Sequence, residues 1–123
     1  MSHPTEAITT TALTLALDAA ALRQRAATAN IANASVAGHV PLRVTFEAAL
    51  IDALQASGTG RGLQASALAD VRPQLQPALQ ADGSTSPVRL DVEVADMARN
   101  AVQYQALVQG LSRHLGILAT VAV

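Results

Sequence analysis

The chain has 123 residues, of which 50% are hydrophobic, 14% charged and 2% aromatic, with no Cys, no Trp, one Tyr (Tyr104) and one Phe (Phe46). One small domain is the most this length supports, and its 27 alanines bury little area each, so an aromatic-lined catalytic pocket is not expected. Eight basic residues, all Arg, against nine acids leave a net charge of −1, which lacks the basic footprint of a nucleic-acid binder. Without cysteine there is no disulfide framework, thiolate metal site or Cys nucleophile.

At the N-terminal end, Ile8, Ala12, Leu15, Ala19, Leu22, Ala26 and Ala29 alternate spacings of four and three, the seam of a heptad repeat. A long helix is predicted across residues 1–35. The poor helix formers Thr9, Thr10 and Thr11 place its firm part from Ala12 to Asn33. No basic n-region precedes the apolar stretch that Asp18 cuts short, so any export is expected without a cleaved signal. A turn at 36–44 follows. Phe46, Ala49, Leu50, Ala53 and Leu54 then form the stripe of a short amphipathic helix at 45–57, opened by Thr45.

Residues 58–88 carry Gly58, Gly60, Gly62, Pro73, Pro77, Asp82-Gly83 and Pro87 among Gln and Ser, and are expected to be a flexible loop. The glycines lack the Lys-Ser/Thr of a phosphate-binding loop. The last segment, 89–123, repeats the heptad through Met97, Ala101, Tyr104, Val108, Leu111, Leu115, Leu118 and Ala122. Asp91 is its predicted N-cap, with Glu93 and Asp96 complementing the helix dipole.

The fold expected is all-α: an elongated, coiled-coil-like antiparallel hairpin of the two heptad helices with a loop-rich middle. Each terminal helix should run roughly 35 to 50 Å at 1.5 Å per residue. A two-helix hairpin cannot cover Leu13, Leu17, Ala20, Ala27 and Ile31, or Val102, Leu107, Ile117 and Val121, which lie off the seams. Gly110 and Gly116 sit within the second helix without a seam role. Self-association accounts for both features. No run is long enough to span a bilayer. His3, His39 and His114 lack metal-pair spacing, and the cluster Asp91, Glu93 and Asp96 reads as a solvated helix start, so no metal, cofactor, small-molecule substrate or catalytic residue is expected.

The segment Asn30-Ile31-Ala32-Asn33, then Gly38 and Phe46-Glu47-Ala48-Ala49-Leu50, resembles the N-terminal signature of bacterial flagellar rod and hook proteins. Leu90-Asp91-Val92-Glu93, Met97-Ala98-Arg99-Asn100 and Tyr104-Gln105-Ala106 are similar to their C-terminal pattern, and the proximal rod (FlgB) family matches best. The chain departs from that family after the Asn motif, where Ser35-Val36-Ala37-Gly38-His39 replaces a turn containing Thr-Pro-Gly-Tyr and only the Gly is kept. The resemblance implies a structural subunit of the basal-body rod, exported through the flagellar type III apparatus. Its partners would be its own copies, other rod proteins, the FliE adaptor and the MS ring. A related axial subunit, either FlgC-like or a type III secretion inner-rod protein, and a helical adaptor that binds a partner helix in the cytoplasm, are the competing expectations.

Overall fold

The computed structural model describes residues 4–56 and 68–121. The expected glycine loop at 58–62 and the seam position Ala122 lie outside the described residues. In chain order the elements are α1 (Pro4–Ala32), β1 (Leu42–Thr45), α2 (Glu47–Ala56), β2 (Gln74–Pro77) and α3 (Leu90–Val121). The chain is mostly helical with long terminal helices, but the all-α expectation is corrected by a small two-stranded sheet in the middle that was expected to be loop-rich.

α1 begins at Pro4, so the threonine run is helical after all. The physical reason is tertiary: Ile8 packs against the core cluster and Thr10 Oγ1 lies 3.0 Å from His114 Nε2 of α3. Contacts of this kind outweigh a weak propensity. The Thr14 hydroxyl is satisfied within the helix by donating to the Thr10 carbonyl.

After α1 the chain turns through Gly38, whose φ of +82° favours glycine because a Cβ is disfavoured there. It then enters β1, which pairs antiparallel with β2 in the register Leu42 to Pro77 and Thr45 to Gln74. Two expectations are corrected here. The end of the expected turn, residues 42–44, and Thr45, the expected helix opener, form a strand, and part of the expected loop is the partner strand. The pairing is non-local, and although Leu42-Arg43-Val44-Thr45 alternates apolar and polar residues, a four-residue strand beside prolines is too short for that alternation to stand out from a turn. Asp91 likewise falls inside the first turn of α3 rather than at its cap, since the helix already begins at Leu90.

The middle segment supplies the core. Leu68 and Val71 are buried against Leu15 of α1, with Ile8, Phe46, Leu50 and Ala53 packed around them. Ala49 is exposed, and the Leu54 side chain is outside the described set. α1 therefore lies between α3 on one side and the strands and α2 on the other.

Candidate assembly surface

α1 and α3 run in opposite directions. Thr10 meets His114, Leu13 Cδ2 lies 4.0 Å from where a Cβ would stand on Gly110, and Asn100 Nδ2 donates to the Ala20 carbonyl (2.8 Å) and to Gln24 Oε1 (2.9 Å). Two antiparallel terminal helices were expected, but the faces they use differ from the expected seams. Leu15, Ala19 and Ala26 are buried, and Ile8, Leu22 and Ala29 are half-buried. This row follows Leu15 onto the middle segment instead of meeting α3. Ala12 is exposed. Ala20 and Leu13, which the heptad left over, make the contact with α3.

On α3 the inward row is Glu93, Met97, Asn100, Leu107, Leu111, His114 and Leu118, all buried or half-buried. It shares Met97, Leu111 and Leu118 with the predicted seam. The other predicted positions are corrected: Ala101, Val108 and Leu115 are exposed, Val108 by 42% and Leu115 by 47%, and Tyr104 is exposed at the edge by 39%. The helix is turned by its polar anchors, because a buried amide and a buried carboxylate must reach partners. Asn100 finds its partners on α1. Glu93 Oε1 lies 2.7 Å from the Arg43 guanidinium of β1, although out of line for a hydrogen bond. Hydrophobic periodicity cannot foresee a seam fixed by an Asn and a Glu.

The family-like motif of α1 has a definite local task. Asn30 is fully buried at the end of the helix; its Nδ2 donates to the Leu42 carbonyl (3.1 Å), and its Oδ1 accepts from the Leu42 amide (2.8 Å). The side chain thus imitates a strand partner and pins β1 to α1. His39 Nε2 lies 3.3 Å from the same Oδ1. Asn33 caps the helix by donating to the Ala29 carbonyl at 2.8 Å, while Ile31 is half-buried and Ala32 exposed. Phe46 packs in the core fringe beneath the Arg23 guanidinium, 5.3 Å from the ring centre. Arg23 also pairs with Glu47. Burial pushes the Glu47 carboxyl up, but hydrogen bonds from the Glu47 and Phe46 amides and the Arg23 charge outweigh it and hold the group below its ordinary value.

Two grooves flank the α1–α3 contact. One, of about 290 Å³, is rimmed by the charged side chains Arg23, Arg43, Glu93, Asp96 and Arg99. Its charges are already matched, Arg43 with Glu93 and Arg99 with Asp96. The other, of about 460 Å³, runs between Ala21 and Arg25 of α1 and Ala101, Tyr104 and Gln105 of α3. Along this second side the α3 positions Leu90, Val94, Ala101, Val108 and Leu115 are exposed and uncharged. Val102, 68% exposed, continues the apolar surface.

The described residues contain no group of three or more acidic or histidine side chains able to hold a metal. No described helix is long and apolar enough to cross a membrane. No family model matches the chain, and no curated protein matches it. Most of the exposed large apolar side chains among the described residues lie on α3. Gly110 and Gly116 do not serve the α1–α3 contact by close approach: a Cβ at Gly116 would meet nothing within 4 Å, and one at Gly110 would make only ordinary contact.

Proposed function

We propose that this chain is a structural subunit of the bacterial flagellar basal-body rod, similar to the proximal rod proteins of the FlgB family. Its terminal helices would pack with those of neighbouring subunits and help carry torque from the MS ring to the hook. The observation that carries this reading is the uncharged, exposed row of α3, which lies within the C-terminal segment bearing the resemblance. Large side chains such as Val102, Val108 and Leu115 are costly to leave in water together, and contiguous apolar surface of this kind marks contact with other proteins. Subunits of this kind need no catalytic group or cofactor. Its neighbours would be its own copies, other rod proteins, the FliE adaptor and the ring beneath them, and its export would be by the flagellar type III route without signal cleavage.

Deleting the gene in its native bacterium and complementing it with an epitope-tagged copy tests the proposal. Non-motile deletion cells without rods, with the tag recovered in purified hook–basal bodies after complementation, are the expected result. Rods that assemble normally in the deletion strain, with the tag confined to the cytoplasm, would overturn it and favour a helical adaptor.

A further inference from the structure

The face that borders the apolar groove combines two rows. α1 contributes the exposed positions Thr14, Asp18, Ala21, Arg25 and Thr28, spaced by four and three, and α3 contributes the row from Leu90 through Leu115. Asp18 and Arg25 are the only charges among these α1 positions, and neither has an ion-pair partner among the described residues, whereas Arg23, Arg43, Arg89 and Arg99 all do. One acid and one base seven residues apart on a single stripe cannot reach each other, since the helix rises about 10 Å between them. They match the same stripe on an antiparallel copy.

We propose that two copies of this chain pair through this face about a two-fold axis, with α1 antiparallel to the partner's α1 and α3 antiparallel to the partner's α3. Reciprocal pairing of Asp18 with the partner's Arg25 places the axis between Ala21 and Leu22. Thr10 is level with His114 and Gln24 with Asn100 in the α1–α3 contact, so that axis crosses α3 between Val102 and Gln103. The same axis then sets Leu90 opposite the partner's Leu115 and Ala98 close to the partner's Val108. Leu90 and Leu115 are about half exposed in the single chain and cover each other in the pair. One register satisfies both the charges of α1 and the apolar residues of α3, which is the self-complementarity an isologous interface requires. Such a pair closes on itself, whereas a polar rod grows by head-to-tail contacts. The pair is thus a state of the free subunit that covers the apolar face before assembly, and it stands independently of the rod reading.

Sedimentation of the purified full chain over a range of concentrations provides the test. A dimer is expected, weakened about tenfold or more by Asp18→Arg or by Arg25→Asp, each of which opposes like charges, and restored by the double exchange. Since the chain has no cysteine, Ala21→Cys gives a second readout: mild oxidation should cross-link it into a dimer, while Gln103→Cys, on the opposite, charge-rimmed groove, should stay monomeric. A chain that remains monomeric throughout, a dimer indifferent to the single charge reversals, failure of the double exchange to restore it, or cross-linking at position 103 but not 21 would each overturn the proposal. Circular dichroism of the variants confirms that these exposed positions leave the helices intact.

Discussion

α1 and α3 are of similar length and similar apolar content, yet the chain uses them differently. α1 is covered on two sides, by α3 and by the core around Leu15, Leu68 and Val71, and leaves in solvent a stripe of small and polar side chains with Asp18 and Arg25. α3 is covered on one side only and leaves Val94, Val102, Val108, Leu115 and Ile117 exposed. A heptad is thus present for two purposes. In α1 it builds the fold of the single chain; in α3 half of it is not needed for that fold.

The sharpest way to break this comparison is to make equal truncations in both helices. Leu15→Ala opens a cavity beside Leu68 and Val71 and should cost about 3 kcal/mol, whereas Leu115→Ala should change the stability of the single chain by no more than about 0.5 kcal/mol, as read by urea unfolding at concentrations low enough to keep it monomeric. Similar losses at both sites would show that the helices are equally buried. Next in size is Asn30→Ala, which orphans the Leu42 amide and leaves the Leu42 carbonyl only the Arg43 guanidinium as donor; it should cost about 2 kcal/mol, with faster amide exchange at β1. Arg43→Ala leaves the buried Glu93 without its cation. The exposure of half of the Arg43 side chain limits the loss to about 2 kcal/mol, and Glu93→Gln in the same background should recover part of it.

Much of the fold was legible in the sequence because it rests on local rules. The two long helices, the turn at Gly38 and the short helix after Phe46 follow from periodicity and turn chemistry. The β1–β2 pairing was not legible, because it joins residues some thirty positions apart and each strand is only four residues long, too short for its alternation to stand out. The contact face of α3 was missed for a different reason. Met97, Leu111 and Leu118 belong to either choice of seam, and what selects the inward one is the need of Asn100 and Glu93 for partners on α1 and β1. Nothing in the sequence singles these two out from the other polar residues of α3, among them Asp91, Asp96, Arg99, Gln103 and Gln105. Asn30 was noticed as a motif residue, but its role as a substitute strand partner requires Leu42 to be placed beside it.

The smallest expected effects concern pH and the glycines. The Glu47 carboxyl is held below its ordinary value in the folded chain, so the stability it adds is present above the unfolded-state value and is lost as pH falls through the folded one. Because that side chain is largely exposed, Glu47→Gln should flatten the acid limb of the unfolding curve only slightly. Gly116→Ala meets no atom within 4 Å and should stabilise the isolated chain by up to about 1 kcal/mol.

The most direct test of the central claim compares folding and assembly for one substitution on the outward row of α3. Val108→Asp should leave the thermal unfolding of dilute purified chain unchanged, and should prevent the tagged subunit from entering basal bodies in a deletion strain. Normal incorporation of Val108→Asp, or a cooperative loss of helix in the purified protein, would contradict the assignment of that row to contacts between subunits.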